Sequence, residues 1–282
     1  MSTPSQQARE ALGLRLRELR KDGGLTQRRL AELAGWVESK VSKIEHGRQT
    51  PSEDDIRLWC RLVGAEAHIA DLIATVRNID SQYLEWRRTW RAGGRRRRQA
   101  IAAQEEQTSR FRIYEPLLIP GLLQTPEYAR TRFAENIAFH RTPNDLDAAV
   151  EARMRRQEIL RRGDRDRRFH ILIGEAALTL GVADDDVLLG QLDRLLTLAI
   201  MPRLLLGVIP ARTRHRRAPH HGFWIFDDRL VLVETVAAEL TITQPREIAV
   251  YAKEFEWLAA SAVYGAGARE LISRAIRAIR EN

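Results

Sequence analysis

The sequence predicts an all-α N-terminal unit of five short helices and a C-terminal α/β unit, a small sheet covered by helices, with a helical connector between them. Three observations predict this. Apolar residues recur every three to four positions up to residue 76, and glycine or proline marks each break. Residues 77–108 keep helical spacing but turn rich in arginine. From Phe111 onward, apolar runs of strand length alternate with amphipathic helices. The expected boundaries are therefore 1–76, 77–110 and 111–282.

The first helix spans Ala8 to Lys21 with Leu12, Leu16 and Leu19 as its stripe, and Asp22-Gly23-Gly24 stops it. Helix two follows a Thr26 cap, turns Leu30, Leu33 and Ala34 to one face, and ends in a left-handed turn at Gly35. Helix three runs from Glu38 to His46 and stops at Gly47, with Val41 and Ile44 pointing back at helix two. Its other face carries Ser39, Lys40, Ser42 and Lys43, the hydroxyls and amines that read base edges and hold phosphates. In Thr50-Pro51-Ser52-Glu53, threonine reads as the N-cap, proline as N1 and glutamate as N3 of a capping box. Helix four then buries Ile56, Trp59, Leu62 and Val63, with Cys60 beside them, and helix five runs through Ile69, Leu72 and Val76.

In the connector, Gly93-Gly94 breaks an arginine-rich helical pattern. A stiff connector of this kind would transmit a change of domain arrangement, as a Gly/Ser linker would not. The segment Tyr114–Arg130 is a mostly apolar stretch with prolines and a glycine, followed by a helix from Pro126 that Thr125 caps. Further helices are expected at Leu146–Arg162, Asp184–Ala199, Pro245–Tyr264 and Ala268–Arg280. Strands are expected at Phe169–Ala177, Arg203–Ile209, Gly222–Asp227 and Leu230–Val236, with a tight hairpin at Asp227-Asp228. Alternation would put two of Phe223-Trp224-Ile225-Phe226 inside and two outside, where exposed aromatics beside arginines compose an interface; the alternative is that helices cover both faces and all four are buried.

The chain has 282 residues, 44% of them hydrophobic, and a formal net charge of +8. A basic balance favours a polyanionic partner. The surplus does not lie in the first unit, though, but in Arg77, Arg87, Arg88, Arg91 and Arg95–Arg98, and again in Arg203–Arg217. Arg95–Arg98 reads either as a solvated face or as a phosphate contact. The longest apolar runs, such as Leu204–Pro210, are too short to span a bilayer, and the N-terminus is polar. The single cysteine excludes an internal disulfide and fits a reducing cytoplasm.

Leu25–Pro51, LTQRRLAELAGWVESKVSKIEHGRQTP, closely resembles the helix–turn–helix of the Xre and lambda-repressor class. The resemblance implies a lambda-repressor-like DNA-binding fold. It places Gln27 on the phosphate backbone, Glu38, Ser39 and Lys43 at base-facing positions, and Lys40 and Arg48 on phosphates. Arg28 and Ser42 complete the candidate set, and Glu45 is implied to be an intradomain partner. One departure stands out: Val37 occupies the position where the class carries a capping serine or threonine.

A second signature, EPLLIPGLLQTPEYAR at Glu115–Arg130, with Trp86-Arg87-Arg88 upstream, resembles that of a large actinobacterial family. Its members join an Xre-type domain to a domain of unknown function. The resemblance implies a DNA-binding regulator often encoded beside a small partner protein. The physical reading of Pro120-Gly121-Leu122-Leu123 is a fixed turn that docks an apolar corner, more a scaffold than a ligand site.

Together these readings describe a cytoplasmic transcriptional regulator that binds a double-stranded operator as a homodimer. Its C-terminal domain senses a ligand or a small protein encoded by an adjacent gene. The alternative is the DNA-binding, antitoxin-like half of a two-protein module. An enzyme with a phosphoesterase-like C-terminal domain is a third reading. His215, His220 and His221 invite it, but the His-x-Lys of a phospholipase-D-like half is missing, since Gly222 and Phe223 follow His221. The expectation is no catalysis, cofactor or metal: the sequence has no metal-ligand spacing, phosphate loop or nucleophile elbow. Gly265–Gly267 lacks a preceding strand in this reading.

Overall fold

The computed structural model describes residues 4–78, 83–85, 95–162, 166–236 and 238–281. The chain divides into two compact units, Met1–Tyr83 with Leu240–Ile248, and Leu84–Glu239 with Ala249–Asn282. The first thus runs past the expected boundary at residue 76 and takes a short segment from late in the chain.

In the first unit, α1 (Pro4–Asp22), α2 (Gln27–Ala34), α3 (Glu38–Glu45), α4 (Glu53–Val63) and α5 (Ile69–Asn78) enclose one core. Leu12, Leu16, Leu19, Leu30, Val41, Ile44, Ile56, Trp59 and Cys60 are all buried in it. Burial pushes the Cys60 thiol up to about 11, so it stays an unreactive hydrophobe. Two sequence expectations need correction. Leu33 is exposed, and Ala31 takes its place beside Leu30 in the core. Helix α4 is capped by Ser52, not Thr50. Ser52 Oγ accepts from Asp55 N at 3.1 Å, and Asp55 Oδ2 accepts from Ser52 N at 3.1 Å. Starting two residues later lets Pro51 be buried as a plug ahead of the helix.

The chain continues through β1 (Tyr83–Glu85), α6 (Arg95–Gln107), β2 (Arg110–Glu115), α7 (Pro126–His140) and α8 (Leu146–Arg156). It then forms β3 (Arg168–Gly174), α9 (Asp185–Leu198), β4 (Leu204–Ile209), β5 (Phe223–Phe226), β6 (Leu230–Glu234) and β7 (Ala238–Ile242). Helix α10 (Pro245–Ser261), β8 (Val263–Tyr264) and α11 (Ala266–Arg280) close it. The sheet order is β1-β7-β6-β5-β2-β3-β4-β8. Strands β2, β3 and β4 run parallel, with Ile113 opposite Ile171 and Ile171 opposite Leu206. Strands β5, β6 and β8 add antiparallel neighbours.

Phe111, Ile113, Phe169, Ile171, Ile173, Leu206 and Val208 turn to one face, against Leu188, Leu192 and Leu195 of α9 and Ile272 of α11. Phe111 stacks on Phe169 at 4.6 Å between ring centroids. The other face is aromatic: Phe255 of α10 meets His170 at 4.9 Å, and Tyr251 meets Phe223 at 5.1 Å. The parallel centre follows from the helical crossovers that link β2 to β3 and β3 to β4.

Several elements differ from expectation. Strand β2 was not foreseen and is central; Arg110, Arg112 and Glu115 hide its apolar positions. The closing helix ends at Ser261, and Tyr264 instead pairs with Gly207 as β8. Gly265 therefore does follow a strand, of two residues. Helix α8 passes into a 3-10 turn at Gln157–Leu160, and β3 ends at Gly174. Phe223-Trp224-Ile225-Phe226 alternates, but both faces are covered. Phe223, Ile225 and Phe226 are buried and Trp224 is half-buried, so the exposed aromatic surface is absent here. In the expected connector, Tyr83–Glu85 is strand and Arg95–Gln107 is helix. Trp86-Arg87-Arg88, Arg91 and Gly93-Gly94 lie outside the described residues.

Candidate functional site

Helices α2 and α3 form the candidate site. Thr26 Oγ1 accepts from Arg29 N at 3.0 Å and starts α2. Gly35 then takes φ 68°, a left-handed conformation, and turns the chain toward α3. Val41 and Ile44 are wholly buried, so α3 has one fixed orientation. Its outward face follows by helical geometry.

A buried charge network sets the angle between these helices. Arg20 Nε donates to Glu45 Oε1 at 2.5 Å and Nη2 to Glu45 Oε2 at 3.1 Å. Arg20 Nη1 also donates to Leu25 O at 2.6 Å, and Gln27 Nε2 donates to Glu45 Oε2 at 2.6 Å. One carboxylate thus joins α1, the turn after it, α2 and α3. Arg20 and Glu45 are both buried, so removing either partner would leave a costly unpaired charge. Glu45 is the intradomain partner that the resemblance implied.

The candidate residues fall into two groups. Glu38, Ser39, Lys43 and Arg48 are exposed, and Arg28 is exposed in an ion pair with Glu32. Gln27, Lys40 and Ser42 are half-buried. Lys40 Nζ lies 2.7 Å from Asp55 Oδ1 and 4.1 Å from the Trp36 ring centroid, so its charge ties α3 to the start of α4. Gln27 likewise spends one amide hydrogen on Glu45. Sequence spacing gave no sign of the Lys40 role, because Asp55 sits on the next helix. Val37 has extended backbone, φ −79° and ψ 142°, and makes no side-chain cap. It is 68% exposed.

In the other unit, the signature segment is built as a clasped loop. Thr125 Oγ1 accepts from Tyr128 N at 3.2 Å, with Pro126 at N1. Leu122 and Leu123 are wholly buried, as a docked corner requires. Around them Gln157 Nε2 donates to Gly121 O and Gln124 O, both at 2.8 Å. Gln191 Nε2 donates to Leu123 O at 3.0 Å and accepts from Thr125 N at 2.8 Å. Arg153 Nη1 donates to Gln124 Oε1 at 2.7 Å. A Cβ on Gly121 would run into that same guanidinium, so any side chain there would push Arg153 off its present position. Sequence reasoning recognised this loop but not the side chains that clasp it, which come from α8, the 3-10 turn after it and α9.

One residue of each of two other candidate groups has defined partners. Arg98 pairs with Asp145 at 2.5 Å and is half-buried. His221 packs against Phe223 and Tyr251. Among the described residues, no group of three His, Cys, Asp or Glu side chains could hold a metal. No helix among them is long and apolar enough to cross a membrane.

Comparison with known proteins finds two families along the chain. Residues 11–72 match the model of a helix-turn-helix domain. Residues 98–274 match that of a domain of unknown function, DUF5753. No curated protein matches the chain. Among solved structures, it is similar at 10% identity to TrmBL2, described as an archaeal chromatin protein with a novel mode of DNA binding. That match covers 86% of this chain and 88% of the other at a TM-score of 0.32, too low to equate the two folds.

Proposed function

The chain belongs to the DUF5753 family, with a helix-turn-helix domain ahead of the family domain, and from that premise we propose that it is a sequence-specific DNA-binding transcriptional regulator. The observation that carries this reading is the outward face of α3. A helix locked by Val41, Ile44 and the Arg20–Glu45 pair presents Glu38, Ser39 and Lys43 to solvent. Helices presented in this way enter the major groove, where such side chains contact base edges. Lys43 and Ser39 set which sequence is bound. Arg28 and Arg48 hold phosphates, and Gln27 offers the groove its remaining amide hydrogen. Lys40 acts on affinity through the Asp55 contact as well as by charge.

In this reading the chain is an Xre-class regulator of actinobacterial type, cytoplasmic and without catalytic activity. It works as a homodimer on a two-fold operator, because one small module gives limited specificity. The C-terminal domain is the sensing part, responding to a ligand or to a small protein. The test is equilibrium binding of the purified full chain to random and selected duplexes over a range of salt. The expected result is an enriched two-fold motif whose affinity falls steeply with salt. Equal binding to every duplex, or none, would overturn it.

A further inference from the structure

The C-terminal unit carries a solvent-open cleft of about 250 Å³ beside the signature loop. Its lining includes the apolar side chains of Leu118 and Trp224. Its walls carry both signs of charge. Glu115, at the end of β2, and Glu234, at the end of β6, stand among the lining residues. So do Arg132 of α7 and Arg153 of α8. The carboxyl of Glu115 is fixed by Trp224 Nε1, which donates to its Oε1 at 2.8 Å. The Arg153 guanidinium is fixed by Gln124 and lies 4.7 Å from the Phe133 ring centroid. Both signs are thus held on rigid elements rather than on mobile loops, as a specific site requires.

Volume and charge limit the occupant. Ligand pockets for larger metabolites run from ~300 to 1,000 Å³, so this space suits a molecule smaller than a nucleotide. Two carboxylates facing one space favour a cation between them, while a guanidinium offers planar donors that match a carboxylate. We propose that this cavity binds a small zwitterion of the amino-acid type, its ammonium group held by Glu115 and Glu234 and its carboxylate by Arg132 and Arg153.

The proposal deepens the sensing role described above and rests on it only for the effect on DNA. Burial, with the charge of Glu234 added, pushes the Glu115 carboxyl up to about 7, against the hydrogen bond from Trp224. The other charged groups lining the cavity are Arg132 on α7, whose Nη1 pairs with Glu135 one turn further along the same helix, and Arg153 and Arg156 on α8, the last paired with Glu105 at 2.5 Å. An ammonium group binds the ionised carboxylate, so affinity must rise with pH through this range.

The experiment is calorimetric titration of the full chain, without DNA, with the free α-amino acids and γ-aminobutyrate. Propylamine and propionate serve as single-charge controls. At least one zwitterion is expected to bind at least tenfold more tightly than either control. Its affinity should rise about tenfold between about pH 6 and about pH 8, as the carboxylate fraction of a group with this pKa does. Glu115→Gln, which keeps an acceptor for Trp224, should flatten that pH dependence, and Arg132→Gln should weaken binding without touching the clasped loop. No binding by any zwitterion at roughly 10 mM, where even millimolar affinity is visible, would overturn the proposal. So would controls that bind equally well, or a pH dependence that survives in Glu115→Gln. A failed titration leaves the DNA-binding reading intact, and a failed operator selection leaves this site intact.

Discussion

At the scale of the residue, the least ordinary position is Val37. Its backbone already has the extended conformation of an N-cap, yet its side chain accepts nothing from the first turn of α3. A serine there would supply the missing acceptor without altering the backbone. Val37→Ser is expected to stabilise the protein by ~0.5–2 kcal/mol, read from the urea midpoint at constant m. An unchanged midpoint would show that solvent already satisfies that turn. Valine is also an exposed apolar group at the end of the helix proposed to enter the groove, so the substitution should alter base preference as well. Lys40 teaches a related lesson. Its type and position resemble a phosphate contact, but its nearest partners are Asp55 and Trp36, from other parts of the same unit. Residue type was legible in the sequence; the partner was not.

At the scale of the element, caps decide where helices begin, and charges on caps make those beginnings sensitive to pH. Burial alone would raise the Asp55 carboxyl, but the Lys40 ammonium and the Ser52 backbone N–H outweigh it and hold it below its ordinary value. A carboxylate whose folded pKa is depressed contributes stability above its unfolded pKa, near 3.8, and loses it as pH falls through the folded value. Asp55→Asn should therefore destabilise the chain at neutral pH and weaken the dependence of stability on acid between about pH 5 and pH 2. Identical acid profiles for the two proteins would contradict this. In the C-terminal unit, the clasped loop gives a second prediction. Gly121→Ala should displace the Arg153 guanidinium from Gln124 and cost ~1–3 kcal/mol. Because the two residues act on one contact, adding Arg153→Ala should cost less in that background than in the wild type, as a double-mutant cycle would show. Additive losses would mean that Gly121 serves another purpose.

At the scale of the whole molecule, the N-terminal unit was legible because its signals are local. Thr26 and Gly35 each act within a few residues, and the buried stripe of α1 follows one period. The cap of α4 was misplaced because two overlapping stretches both satisfy the pattern, and only the burial of Pro51 and the Asp55–Lys40 contact choose between them. The C-terminal sheet was legible in part. Strands β3 to β6 are mostly apolar and were foreseen to within a few residues. Strand β2 was not, because Arg112, which bonds to Asp227 O and Asp228 in the hairpin, looks like a surface residue in the sequence. The charged cavity was invisible for a similar reason: Glu115, Arg153 and Glu234 are far apart in the chain and share a site only after folding.

The central claim is that the outward face of α3 reads DNA sequence. Binding-site selection with the wild type and with Lys43→Ala, in parallel at one salt concentration, tests it most directly. Lys43 is exposed and forms no part of the Arg20–Glu45 network, so the variant should fold normally. The account predicts that the wild type enriches a defined motif. The variant should lose preference at one base pair of each half-site, worth ~1–3 kcal/mol, while keeping it elsewhere. A variant that enriches the same motif with the same preference at every position would contradict the account.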